Sequence, residues 1–374
     1  MTPGARVAAA IEVLDRVLAG EPAEKALTNW GRASRFAGSG DRAAVRDIVF
    51  DALRRKRSAA ALGGGLTGRG MVLGLCRAAG QEALFSGEGH APAPPDASEV
   101  GRVPSGAEAL DLPDWLVPPL RESLGERLEP VAEALRSRAP VFLRANLGKV
   151  DRDGAIAALA AEGIVVRPHA LAGTALEVTG NARKVQASAA FRDGLVELQD
   201  ASSQAVVEAL PLIDGMRVLD HCAGGGGKTL AMGARARLRL HAHDIAPRRM
   251  ADLPERAKRA GVAVTLTECP EDAAPYDLVL VDAPCSGSGS WRRDPEGKWA
   301  LTPEGLERLL SEQAAILDRA AGMVGPEGRL AYATCSLLAA ENGAQVDRFL
   351  ARHPSGWTRK MERSFLPLEG GDGF

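Results

Sequence analysis

Two cysteines, Cys285 and Cys335, sit in settings suited to covalent chemistry. The first lies in Asp282-Ala-Pro-Cys285-Ser-Gly-Ser-Gly-Ser-Trp-Arg292-Arg293-Asp-Pro-Glu-Gly-Lys298-Trp299, where a thiol, a carboxylate and basic side chains share one stretch. The second closes Gly328-Arg-Leu-Ala-Tyr-Ala-Thr334-Cys335-Ser336. Thiol nucleophile, acid and positive charge together suit covalent chemistry on an anionic polymer, with Arg292, Arg293 and Lys298 holding phosphates. The plainer alternative is a surface turn with a small buried thiol.

The elements around them place both thiols at one cleft. Tyr276 to Val281 is a nearly unbroken apolar run, the pattern of a strand buried on both faces of a parallel sheet. Cys285 therefore follows its carboxyl end, the edge at which open α/β sheets bind ligands. Gly328 to Ser336 reads as a second such strand. Between them Thr302, Pro303 and the apolar residues Leu306, Leu309, Leu310, Ile316 and Leu317 predict a helix, stopped by Gly325 and Pro326. Strand, helix and strand form a right-handed parallel crossover, so both cysteines emerge at the same edge.

A cofactor loop precedes them. From Met216 onward strands and helices alternate, the signature of a doubly wound sheet. The strand Arg217 to Asp220 leads into His221-Cys222-Ala223-Gly224-Gly225-Gly226-Gly227-Lys228-Thr229 and then a helix. Glycines between a strand and a helix N-terminus offer backbone N–H groups to a nucleotide-like ligand. The loop fails the Walker A spacing, because Cys222 stands where the first glycine belongs, and it lacks the third glycine of the dinucleotide fingerprint. Asp244, at the tip of the next strand, lies about twenty residues on, the remove at which an acid binds ribose hydroxyls. This combination fits S-adenosylmethionine better than NAD or ATP.

The rest of the chain bounds these readings. Its 374 residues are 45% hydrophobic, with net charge −2 and pI near 6.4, so two or three domains are expected and no global basic coat exists. The five cysteines, the others being Cys76 and Cys269, form no C-x-x-C pair, which suits reduced thiols and no metal site. No run of about 18 apolar residues is present, so a soluble, cytoplasmic protein without membrane contact is expected. Residues 1–85 read as helical. There Val7, Ile11, Leu14, Val17 and Leu18 share a face, and Asp41 caps a helix burying Val45, Ile48, Val49 and Leu53. Arg42, Arg46, Arg54, Arg55, Lys56 and Arg57 form either a solvated face or a phosphate-contacting patch. Residues 86–106 read as a linker, 107–200 as a small α+β module and 201–374 as the catalytic α/β domain.

With these blocks in view, the chain resembles the Sun/RsmB family of RNA cytosine-5 methyltransferases. Asp220 to Thr229 is similar to the family's Asp-x-Cys-Ala-Ala-Pro-Gly-Gly-Lys-Thr, with Gly224 and Gly225 replacing Ala-Pro. Asp282 to Trp299 resembles its catalytic block, and Thr334-Cys335-Ser336 with Glu341-Asn342 its second cysteine block. Upstream, Arg144-Ala-Asn146 and Val196 to Ser202 resemble its RNA-binding module. The segment around Asp41-Arg42 resembles the NusB-like domain of members that modify small-subunit ribosomal RNA. The resemblance implies a Rossmann-like class I methyltransferase domain, an α+β RNA-binding module and an all-α NusB-like N-terminal domain. It also implies a monomer that uses S-adenosylmethionine and binds RNA through Arg144 and Asn146.

In site terms it implies that Cys335 attacks C6 of a cytosine, that Cys285 assists release and that Asp282 hydrogen-bonds the base. The residues alone leave the thiol roles open, and DNA cytosine methyltransferases attack with a Pro-Cys thiol. The cofactor set would be Cys222 to Lys228, Asp244, Asp282 and, in place of the usual adenine-side acid, Glu268 or Asp272. Family members continue from Asp-Gly-Phe, here at 372–374, into a further strand. A tRNA methyltransferase, a DNA methyltransferase and a non-catalytic RNA-binding assembly factor are the alternatives.

Overall fold

The computed structural model describes all 374 residues. It divides into two compact units, Met1–Arg138 with Trp291–Leu301, and Ala139–Ser290 with Thr302–Phe374.

The first unit is helical: α1 (Pro3–Leu18), α2 (Ala23–Ala33), α3 (Ser39–Arg54), α4 (Lys56–Gly63), α5 (Gly68–Ala78), α6 (Val117–Leu124) and α7 (Leu128–Leu135). Residues at helical spacing, Val7 and Leu14 from α1 and Val45, Val49 and Leu53 from α3, share a core with Trp30, Met71 and Leu73. Asp41 caps α3 from inside the helix, as the acid of a capping box, rather than from the N-cap position. Gly38 holds that position, and Asp41, at the third helical residue, accepts from the Gly38 N–H at 3.3 Å and from Arg6 Nε at 2.9 Å. The stretch from Phe85 to Pro113 carries no helix or strand. It is nonetheless fastened to the helices: Arg69 Nε donates to Glu99 at 2.6 Å, and Arg77 donates to the Leu62 and Glu99 carbonyls at 2.9 Å. Helices α6 and α7 belong here, and so does Trp291–Leu301, because Lys298 and Trp299 donate to the Arg54 and Leu53 carbonyls.

The second unit holds two sheets. The first runs β1 (Val141–Ala145), α8 (Arg152–Ala161), β2 (Val165–Pro168), β3 (Ala175–Gly180), α9 (Ala189–Arg192) and β4 (Val196–Leu198). Its antiparallel order β2-β3-β1-β4 is the ferredoxin-like arrangement. Then come α10 (Ala201–Glu208), β5 (Arg217–Asp220), α11 (Gly227–Arg235), β6 (Arg239–Ala242), α12 (Leu253–Ala260), β7 (Thr265–Leu266) and β8 (Tyr276–Asp282). After the returning helix α13 (Pro295–Ala300) follow α14 (Pro303–Ala321), β9 (Val324–Ala333) and α15 (Gly343–Arg352).

The second sheet is parallel, in order β7-β6-β5-β8-β9. The unbroken apolar run of β8 has a direct cause. Leu278 and Leu280 enter one core with Val218 and Met232, while Val279 and Val281 enter the other with Leu219 and Met323. Strand order reverses between β5 and β8, which opens a crevice at their carboxyl ends. Gly325 and Pro326 do not stop α14; Gly322 does, and both residues lie inside β9. Proline is tolerated there because β9 is an edge strand whose register shifts opposite Tyr276 and Leu278. No single helix is long and apolar enough to cross a membrane.

Candidate active site

Asp282 ends β8 and pairs in register with Ala333, which ends β9. The loops that follow therefore start side by side. Ala283 N–H donates to the Ala333 carbonyl and Gly289 N–H to the Cys335 carbonyl, both at 2.9 Å. Cys285 Sγ and Cys335 Sγ stand 3.4 Å apart. From the first turn of α11, Lys228 Nζ donates to Asp282 Oδ2 at 2.6 Å. The hydrogen bond from Cys285 holds the Cys335 thiol below its ordinary value, aided by the Lys228 ammonium and opposed by burial, Asp282 and Asp372. The same bond pushes the Cys285 thiol well up, and burial and the charges of Cys335 and Glu341 add to it. One thiol is thus set up to carry negative charge and the other to keep its proton.

The glycine loop joins β5 to α11. Gly224 and Gly226 take φ of 52° and 76°, the left-handed region that favours glycine. A Cβ on Gly226 would stand 2.3 Å from Leu253 Cδ1. Thr229 Oγ1 donates to Asp220 Oδ2 at 2.6 Å and ties the helix start to the strand end. Asp220 Oδ1 has no partner, and burial pushes that carboxyl up to about 7. Asp244, just past β6, accepts from the Gly224 and Ala246 N–H groups at 2.9 Å each and pairs with Arg249 at 3.1 Å. The acid, almost wholly buried, therefore supports the loop. Burial, with the charges of Asp220, Asp282 and Asp244, pushes the Cys222 thiol up to about 12, so it packs as a neutral group beside Val279. Ala223 N–H is spent on the His243 carbonyl, and the Gly225 carbonyl accepts from Arg256. Lys228 serves Asp282 rather than the loop. Glu268 is exposed just past β7, and Asp272 lies in the turn Pro270–Ala273.

The pattern gave no role to two residues. Ile245, 81% exposed, holds an apolar side chain in the open beside Asp244; its only signal was an isolated apolar residue after a strand-tip acid. Glu341 is fully buried between the two cysteine loops, where its Oε2 meets Ser286 and Ser336 hydroxyls.

The expected RNA contacts need correction. Arg144 is buried and donates to the Gly227 carbonyl at 2.9 Å and to Gln199, and burial draws its guanidinium down to about 10. Asn146 donates to the Gly194 and Ala260 carbonyls at 2.8 Å. Both side chains fasten the ferredoxin-like sheet to the parallel-sheet elements rather than reaching solvent. Lys298 is buried, donates to the Arg54 carbonyl at 3.0 Å and is drawn down to about 7 by burial. Arg292 is buried as well, and its carbonyl accepts from Arg54 Nε at 2.7 Å. Arg293 is the exposed member of the set. Within the basic run, Arg54 is buried, Arg46 pairs with Glu24, and Arg57 pairs with Asp114 at 2.9 Å, so it is neither a plain solvated face nor an open patch.

Comparison with known proteins agrees with this layout. Residues 207–365 match the family model described as 16S rRNA methyltransferase RsmB/F, and residues 112–186 match the ferredoxin-like domain of RsmF/B-like methyltransferases. Ribosomal RNA small subunit methyltransferase B of Xylella fastidiosa is 35% identical over 294 residues, covering 73% of this chain and 68% of its own length. The protein of that name from Salmonella arizonae is 34% identical over 279 residues, and the chain spans 64% of its length. Among solved structures, that of PH0851 has a TM-score of 0.76 at 22% identity and covers 100% of this chain and 98% of its own. NSun6 from Pyrococcus horikoshii with SFG has a TM-score of 0.61 at 18% identity, covering 70% of this chain and 96% of its own. Both share the fold. The parallel sheet, its switch-point crevice and the glycine loop, with the family match over 207–365, define a Rossmann-like fold of the methyltransferase type. The chain belongs to the RsmB/F family of methyltransferases.

Proposed function

We propose that this chain transfers a methyl group from S-adenosylmethionine to C5 of a cytosine in RNA, small-subunit ribosomal RNA being the favoured substrate, through a covalent bond from Cys335 to C6. The observation that carries this reading is the thiol pair, 3.4 Å apart at the switch-point crevice, together with the Lys228–Asp282 pair. The names of the curated relatives favour ribosomal RNA over tRNA.

C5 of cytosine is a poor nucleophile. Attack of the Cys335 thiolate on C6 forms the S–C6 bond and leaves C5 electron-rich. Asp282, held by Lys228, accepts from the exocyclic amine and relays a solvent proton to N3 as the thiolate adds, taking it back when the adduct collapses, so charge is neutralised at each stage. The residues fit the cofactor: the left-handed glycines leave the backbone open, Asp244 suits ribose hydroxyls and exposed Ile245 suits an adenine face. When bound, S-adenosylmethionine supplies an electrophilic methyl group. Loss of the C5 proton to solvent then restores the C5–C6 double bond as the S–C6 bond breaks. The Cys285 S–H, which faces the Cys335 sulfur, stabilises the departing thiolate. The base must leave its stack to reach this crevice.

Incubation with tritiated S-adenosylmethionine and unmodified small-subunit RNA tests the reading, with label expected in 5-methylcytosine after hydrolysis. Label in tRNA alone would move the substrate. Cofactor binding without transfer to any cellular RNA would overturn catalysis in favour of a binding module.

A further inference from the structure

Glu341 lies in the short turn Ala339–Glu341 after β9 and is fully buried. Its Oε1 accepts from the Ser286 N–H at 2.8 Å and from Gln313 Nε2 at 3.0 Å. Its Oε2 accepts from the Ser286 and Ser336 hydroxyls, each at 2.5 Å. Ser286 directly follows Cys285 and Ser336 directly follows Cys335. These partners are amides and hydroxyls, not cations, and they stand in for the water a buried carboxylate gives up.

We propose that Glu341 is a positioning residue for the thiol pair: it ties the two cysteine loops to one carboxylate, fixes how the two thiols face each other and so sets their difference in reactivity.

The tie is itself braced. Gln313 is fixed by Gln345 Nε2 at 3.1 Å, Tyr332 Oη donates to the Glu341 carbonyl at 2.8 Å, and Asn342 Nδ2 donates to the Ser336 carbonyl at 2.8 Å. The two sides of the pair face different charges. The Cys285 thiol is raised first by its hydrogen bond with Cys335 and by burial, and the Glu341 charge adds to that, with the Gly287 N–H opposing. The Cys335 thiol is lowered first by its hydrogen bond with Cys285, the Lys228 charge adds to that, and burial, Asp282 and Asp372 oppose. Glu341 thus does for Cys285 the reverse of what Lys228 does for Cys335.

The proposal rests on the reading in which Cys335 attacks and Cys285 assists, but its test needs neither RNA nor methyl donor. The full chain is alkylated with iodoacetamide across a pH series, and modification of each cysteine is followed by peptide mass spectrometry. Cys335 of the wild type should react about tenfold faster than Cys285 near neutral pH, since the thiolate is the reactive form. In Glu341→Gln that ratio should fall to within about threefold, with the two pH profiles drawing together. A wild type without selectivity, or an unchanged ratio in Glu341→Gln, overturns the proposal. Thermal unfolding checks that the variant folds. If it does not, Ser286→Ala decides in its place, a lowered ratio supporting the tie and an unchanged one overturning it. Wild-type selectivity without RNA methylation would sink the functional reading and leave this one standing.

Discussion

A free thiol near neutral pH is mostly protonated, so a cysteine that attacks carbon needs a neighbour to favour its anion. Here the neighbour is a second thiol, 3.4 Å away, beside the loop that would hold the methyl donor. Asp244→Ala should weaken S-adenosylmethionine binding about ten- to a hundredfold, the loss expected for a charge-assisted hydrogen-bond pair. Isothermal calorimetry checks it, and unchanged affinity would reject Asp244 as the ribose acid. Asp220 gives a prediction in pH. Its folded value, about 7, exceeds the ordinary carboxylate value, so the folded chain holds a proton that the unfolded chain has released. Stability from this group is full below about pH 4 and is lost as pH rises through about 7, with a slope of at most about 1.4 kcal/mol per pH unit. Asp220→Asn keeps an acceptor for Thr229 and should remove that slope. Urea midpoints from pH 5 to pH 7 would show it, and an unaltered slope would contradict the buried-acid assignment.

At the level of elements, the glycine loop is the most constrained piece of backbone. Gly226 takes φ of 76°, and a Cβ there would press on Leu253 at the start of α12. Gly226→Ala should cost about 1–3 kcal/mol in folding and weaken cofactor binding further; a denaturant midpoint equal to the wild type's would contradict the geometry. Much of this layout was legible in sequence because it is written locally. The apolar run of β8 announces a strand covered on both faces, and a polar burst after such a strand marks the ligand edge. Strand–helix alternation from Met216 sufficed for the parallel sheet, and with it the meeting of the two cysteines. What failed depends on packing. Arg144, Asn146 and Lys298 read as surface contacts because charge and polarity are visible in sequence, whereas the carbonyls they serve, of Gly227, Gly194 and Arg54, are fixed only in three dimensions. Pro326 read as a helix stop, yet an edge strand accommodates it.

Across the whole chain, the catalytic block contributes to both units. Its cysteine stays with the parallel sheet, and Trp291–Leu301 folds with the N-terminal helices. Lys298→Met should therefore act on stability, costing about 1–3 kcal/mol for the carbonyl left without its donor, and should leave the salt dependence of RNA binding intact. Arg293→Ala should instead flatten that dependence by about one unit of slope. Filter binding across a salt series separates the two, and the reverse pattern would return Lys298 to the RNA surface. The covalent two-thiol route is tested most directly by trapping. Cys285→Ala, incubated with RNA and S-adenosylmethionine, should attack and methylate but release slowly, leaving a protease-sensitive protein–RNA band on a denaturing gel, while Cys335→Ala should form none. A band with Cys335→Ala and none with Cys285→Ala would contradict the assignment, and no band with either would contradict the covalent route.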